Sequence, residues 1–216
     1  MGPWPARAGR GPGSATAAPT VGALVRGRSR AARSIADIGT IGRVAPGGTP
    51  AIDLVRRAGA LHRVHEYALP ERHGRARDER PDYGVEAARA LGVPPGRVFK
   101  TLIATVDADR LVAALVPADR QVDLRRLAAA CGGRAATLAE PVVAERATGS
   151  VIGGISPLAP RRHLAVVIDA SAADHSTIFV SAGRRGLQLE LTPADLVRLT
   201  RATLAPITRS GEISRG

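Results

Sequence analysis

Val98-Phe99-Lys100-Thr101-Leu102-Ile103-Ala104-Thr105-Val106 is the stretch on which the fold turns. It is rich in β-branched and aliphatic side chains and free of glycine and proline, so it reads as a β-strand. Apolar residues occupy both alternating faces, which places the strand in the middle of its sheet. One position breaks the pattern. Of the chain's 31 basic residues, all but Lys100 are arginine. Arginine is a planar fork of fixed charge, whereas lysine is a compact point charge whose pKa moves when it is buried. A single lysine at the mouth of an apolar strand is the first candidate for chemistry. The alternative is a surface residue left over in an arginine-rich composition.

Upstream of this strand, Pro94-Pro95-Gly96 is a turn, and Val85 to Leu91 reads as a helix closed by Gly92. Residues 70–82 are a charged loop, and Leu61 to Tyr67 is a short strand. Before it, Thr49 caps a helix with Pro50 in its first turn, Ile52, Leu54, Val55 and Ala58 on one face, and Gly59 at its end. Downstream, Asp107-Ala108-Asp109 turns the chain into a return strand over Leu111 to Val116. Asp123 caps a helix that reaches Cys131 and stops at Gly132-Gly133; Pro141 to Arg146 is a further short helix. Ala165 to Asp169, Thr177 to Val180 and Leu187 to Leu191 are strands, and Thr192-Pro193-Ala194-Asp195 opens a last helix with Asp195 near a capping-box position. Strands and helices do not alternate strictly, so the fold class is a mixed α/β (α+β) sheet and not a Rossmann-type one.

The composition sets outer bounds. Apolar residues make up 44% of the 216-residue chain and aromatics only 2%, so the core is built from Ala, Val, Leu and Ile. The single cysteine, Cys131, excludes an internal disulfide and fits a reducing, cytoplasmic setting. No apolar run approaches the roughly 20 residues of a membrane span. Half of the net charge of +12 lies in residues 1–47, which hold seven arginines against Asp37 alone. That segment reads as a basic, disordered tail; a transit peptide and residues added by an early start codon are the competing readings. The domain is expected over residues 48–208, with a C-terminal tail at 209–216. It is moderately basic, which suits a polyanion such as RNA.

Two glycine-rich segments add to Lys100. In Thr148-Gly149-Ser150-Val151-Ile152-Gly153-Gly154-Ile155-Ser156-Pro157 the paired glycines let backbone approach a ligand and aim N–H groups at an oxygen. An ordinary turn between strands is the alternative. Ser181-Ala182-Gly183-Arg184-Arg185-Gly186 either holds RNA phosphates through Arg184 and Arg185 or is a hairpin turn with solvated charge. His62, His65 and His73 match no zinc spacing, so no metal is expected. Cys131, on an apolar helix face, reads as core. No Gly-x-Ser-x-Gly elbow occurs.

Together, Val98-Phe99-Lys100-Thr101-Leu102, the run from Thr148-Gly149 through Gly153-Gly154-Ile155-Ser156-Pro157-Leu158, and Ile178-Phe179-Val180-Ser181 with Gly183-Arg184-Arg185-Gly186-Leu187 closely resemble the YbaK family, from about residue 49 to about 207. These are free-standing aminoacyl-tRNA deacylases related to the editing domain of bacterial prolyl-tRNA synthetases. The resemblance implies one editing domain around a mixed, partly barrel-like sheet with surrounding helices. It implies trans-editing in the service of translation fidelity, without a cofactor, on a mischarged tRNA. Prolyl-tRNA synthetase is a second candidate partner. The Gly-Gly-Ile-Ser-Pro-Leu string points to the branch that clears Cys-tRNA(Pro), where the bound cysteine's thiol attacks its own ester; the enzyme is a hydrolase, or a lyase if a thiolactone leaves. Ala-tRNA(Pro) or Ser-tRNA as substrate, and a non-catalytic tRNA-binding module, are the alternatives. Lys100 matches the essential lysine. Tyr67, Thr101, Gly153, Gly154, Ile155, Ser156, Ser181 and Gln188 fall at substrate-binding positions. Three departures stand out: Gln188 where the Cys branch often has aspartate, and Ala159 and Ala182 in place of glycines. The Tyr67–Lys100 loop is also longer than usual.

Overall fold

The structure, a computed structural model, describes residues 48–68 and 82–209. The expectations for residues 1–47, for most of the 70–82 loop and for the last residues of the chain lie outside them. Five helices, α1 (Pro50–Arg57), α2 (Tyr83–Leu91), α3 (Leu124–Ala130), α4 (Pro141–Thr148) and α5 (Pro193–Thr200), flank eight strands. The strands are β1 (His62–Glu66), β2 (Val98–Val106), β3 (Arg110–Pro117), β4 (Ala136–Leu138), β5 (Ala165–Asp169), β6 (Ile178–Ser181), β7 (Leu187–Leu191) and β8 (Thr203–Ala205).

All eight strands form one mixed sheet in the order β1-β7-β6-β2-β3-β5-β8, with β4 also on β2. β2 is central, as its two apolar faces predict. β3 pairs antiparallel along one edge of it from Phe99 to Val106. The other edge is shared: β6 pairs in parallel at Val98 and Phe99, and β4 pairs antiparallel from Ala104 to Val106. Between these two partners, Lys100 to Ile103 have no ladder partner on that edge, so the sheet splits where the lysine stands.

Helices cover both faces. On one, α1 and α5 bury Ala51, Ile52, Val55 and Leu196 against Phe99, Ile103, Leu115, Val180 and Leu189. On the other, Leu127 of α3 packs on Ala104, Val112 and Val116, and Ala87 and Ala88 of α2 pack on Val98, Ala118 and Phe179. The caps at Thr49, Gly92, Asp123 and Thr192 are those the sequence announces; Asp82 and Gly149 are not. Thr49, Asp82, Asp123 and Thr192 accept hydrogen bonds from first-turn amides, and Gly92 and Gly149 end their helices with positive φ. α2 begins two residues earlier than its periodicity suggests and α4 runs two residues further, because Asp82 and Gly149 set those ends.

Candidate active site

Lys100 sits on the α2 face of the sheet, where the register aligns side chains from several strands. Phe99 is level with Val180 on β6, which puts Lys100 level with Ser181. Ser181 is paired with Gln188 on β7, and Gln188 with His65 on β1. Directly paired residues share a face, so Ser181, Gln188 and His65 form one row, and Lys100, which like Ser181 follows the last β2–β6 pair by one residue, faces the same side. Lys100 Nζ donates to the Ala118 carbonyl at 2.9 Å and lies 3.8 Å from Asp82 Oδ2. Burial pushes its pKa below the ordinary lysine value, and the nearby Asp82 and Asp119 carboxylates partly offset that. Tyr67 packs in the same small apolar cluster as Ala118 and donates its amide to the Gly186 carbonyl.

The glycine loop reaches this point through the first turn of α2. Gly153, at φ +82°, lies so close to the Tyr83 ring that a Cβ there would stand 2.6 Å from it, and Tyr83 follows Asp82 in the chain. A Cβ on Gly154 would stand 2.8 Å from the backbone of Arg184 and Arg185. The two glycines therefore let one loop touch both α2 and the β6–β7 turn. The Gly154 amide closes a tight turn onto the Val151 carbonyl, and Ile152 donates to Glu145 Oε1 at 2.8 Å. The Gly153 amide has no partner among the described residues. Gly84 permits a further close approach, since a Cβ there would come within 2.9 Å of Ala118 Cβ.

The sequence-predicted residues divide. Lys100, Tyr67, Gly153, Gly154, Ser181 and Gln188 converge on this end of the sheet. Thr101, next to Lys100 on β2, faces the opposite side, and its buried hydroxyl oxygen lacks a partner among the described residues. The Ile155 side chain is in the core, and the buried Ser156 hydroxyl caps the Leu158 amide. Arg184 pairs with Glu66 at 2.7 Å. Arg185 donates to the Ile152 carbonyl at 2.7 Å and stacks 4.8 Å over Tyr83, so it braces the loop. Tyr83 itself is the site residue that sequence reading missed, since a tyrosine in a helix's first turn carries no signal of what will lie on it.

The departures have structural consequences. Ala159 adopts φ +51°, a left-handed backbone in which glycine is cheapest. Ala182 is fully buried in the larger core cluster. Gln188 is 6% exposed and its Oε1 has no partner among the described residues. Glu190 does not stand in for the missing aspartate. It is held by His65 Nε2 at 2.9 Å and Thr177 Oγ1 at 2.7 Å, with Arg97 at 3.4 Å. The His65 contact leads these in drawing its pKa down to about 2. Burial raises the pKa of the Cys131 thiol, the wrong direction for a nucleophile. Among the described residues no histidine hydrogen-bonds a serine or cysteine, and no three His, Cys, Asp or Glu side chains are grouped to hold a metal. No helix among them is long and apolar enough to cross a membrane.

Comparison with known proteins gives a consistent picture. A family model described as "Aminoacyl-tRNA editing domain" matches residues 81–199. An Enterococcus faecalis protein named "Putative Cys-tRNA(Pro)/Cys-tRNA(Cys) deacylase EbsC" is 32% identical over 160 residues, covering 74% of this chain and 93% of that protein. An Escherichia coli protein named "Multifunctional Ser/Thr-tRNA deacylase ProXp-y" is 31% identical over 123 residues, 55% of this chain and 74% of the other. A solved structure described as that of "a putative trans-editing enzyme for prolyl tRNA synthetase" shares the fold with a TM-score of 0.59 at 24% identity, covering 73% of this chain and 98% of that one.

Proposed function

Because the chain belongs to the aminoacyl-tRNA editing domain family, in which mischarged tRNAs lose their amino acid, we propose that its substrate is Cys-tRNA(Pro) and that the ester is cleaved with help from the substrate itself. The observation that carries this reading is the half-buried Lys100 ammonium at the split in the sheet, beside a glycine loop and, among the described residues, without a nucleophile–base pair. An ammonium held in a partly desolvated place stabilises an oxyanion or a terminal phosphate far better than one in water. The Gly153 amide is a second donor for the same charge. Gln188 Oε1, buried on the Lys100 face of the sheet and without a partner among the described residues, is the acceptor that a substrate's α-ammonium would find.

No protein nucleophile is poised among the described residues, and in this reading the attacking group comes from the substrate. The cysteine thiol gives up its proton as its sulfur attacks the ester carbonyl, the ribose oxygen leaves with the C–O bonding pair and takes up a proton, and the amino acid departs as a thiolactone. Tyr67 bounds the space for the acyl group. The tRNA body is gripped by charge, which makes binding weaken with salt. The Enterococcus relative, matched over 93% of its length against 74% for the Escherichia coli Ser/Thr-tRNA deacylase, supports the cysteine branch.

The test is deacylation of purified Cys-tRNA(Pro), Ala-tRNA(Pro) and Pro-tRNA(Pro), with Lys100→Ala in parallel. Rapid loss of the cysteine ester alone, abolished by the variant, is expected. Turnover of no ester, with tRNA still bound, would instead make the protein a binding module.

A further inference from the structure

Arg184 and Arg185, though exposed, are already paired with Glu66 and the Ile152 carbonyl, so a bound RNA would find phosphate partners more readily at arginines without such contacts. Past the glycine loop the chain runs through Pro157 to His163 into β5. A hollow of about 390 Å³ opens there, between Pro157–Pro160 and the end of α5. Across His163, Thr200 and Arg201, which line both, it continues into a second hollow of about 490 Å³ whose walls carry Arg110 and Arg162. The two make one trough that starts on the α5 face of the sheet, beside the end of the glycine loop, and ends at the opposite end of the sheet from Lys100.

The trough is basic. Asp109 is the one carboxylate along it, against three arginines and His163. Arg110 is tied to Asp107 and the Cys131 carbonyl. Arg162 and Arg201 are exposed, and their guanidinium groups have no partner among the described residues. Arg201 ends α5 at φ +53°. Helices prefer glycine or asparagine in that left-handed geometry, so an arginine there carries a cost to the backbone. Its position in the trough supplies a reason.

We propose that this trough holds the sugar-phosphate backbone of the tRNA acceptor arm while the 3′ end reaches Lys100. Arg110 is level with Val106, six residues along β2 from Lys100, or about 20 Å at the ordinary strand rise. That span suits a short single-stranded tail leading from the ester to the first paired nucleotides. Free guanidinium forks recognise phosphate oxygens without reading sequence, so the trough positions the RNA and leaves discrimination to the ester site. The RNA's identity rests on the deacylase reading above; the basic trough does not.

The test pairs Arg162→Glu/Arg201→Glu with the conservative Arg162→Lys/Arg201→Lys. Uncharged tRNA(Pro) is bound at salt from 50 to 200 mM, and deacylation is compared on full Cys-tRNA(Pro) and on cysteine esterified to a CCA trinucleotide. The Glu pair is expected to weaken tRNA binding at least tenfold and flatten the salt dependence by about two phosphate contacts. Turnover of the trinucleotide ester should stay unchanged, and the Lys pair should retain most binding. Unchanged tRNA binding and salt slope in the Glu pair, or an equal loss on the trinucleotide, would overturn the proposal. If the wild-type protein cleaves neither ester, the deacylase reading fails while the binding arm still decides the trough.

Discussion

Replacing Lys100 with methionine separates the site's chemistry from its stability. Methionine keeps the unbranched apolar stem and removes the ammonium. The folded state loses one hydrogen bond, from Nζ to the Ala118 carbonyl at 2.9 Å, a loss of about 1.5–3 kcal/mol for a charged donor. Relief of the desolvation that lowers the Lys100 pKa opposes it. The distant pair with half-exposed Asp82, at 3.8 Å, is worth little. Stability should therefore change by no more than about 1 kcal/mol, while the deacylation rate falls about 10²–10³-fold, as when an oxyanion donor is removed. Urea unfolding and single-turnover deacylation read the two quantities separately. Wild-type activity should also decline as pH rises through a Lys100 pKa below the ordinary lysine range. Stability should rise over that same window, because there the unfolded chain binds the proton that the folded one has released. Activity of Lys100→Met within tenfold of wild type, or a stability loss matching the rate loss, would refute the assignment.

Other predictions concern the frame around the site. Glu190, held at a pKa of about 2 chiefly by the His65 hydrogen bond, against an ordinary 4.5, contributes stability above pH 4.5 that is lost as pH falls toward 2. Glu190→Gln should cost about 1–2 kcal/mol at pH 7, after allowance for solvent screening, and should shallow the acid-unfolding limb measured by circular dichroism. Ala159→Gly should raise stability by about 0.5–1 kcal/mol in urea, since it relieves a left-handed alanine at some cost in chain entropy, without changing the deacylation rate. Gly154→Ala should cut deacylation at least tenfold with the protein still folded by melting, because the new Cβ forces the loop off the Arg184–Arg185 backbone.

Where signals are local, the sequence carries the fold. β2 is legible from its two apolar faces, and the helix starts from Thr49, Asp123 and Thr192. β4 and β8 are not legible. Each is three residues long, with too few positions for alternation to show, and each exists because a long neighbour offers an edge: β2 to Ala136–Leu138, β5 to Thr203–Ala205. Lys100 stood out because its residue type is unique. The His65–Glu190–Arg97–Thr177 network did not, since its members are scattered over more than a hundred positions and meet only through strand register. Arg184 and Arg185 read as free charge locally, yet their partners, Glu66 and the Ile152 carbonyl, come from distant segments.

The most direct measurement is the ratio of deacylation rates for Cys-tRNA(Pro) and Ser-tRNA(Pro) under single-turnover conditions. The two esters differ by sulfur against oxygen, which a pocket alone separates by no more than about 10². Cleavage driven by the substrate's own thiol predicts a ratio above that figure, with thiolactone as the first product. A ratio near one, with free serine and cysteine released alike, would contradict it.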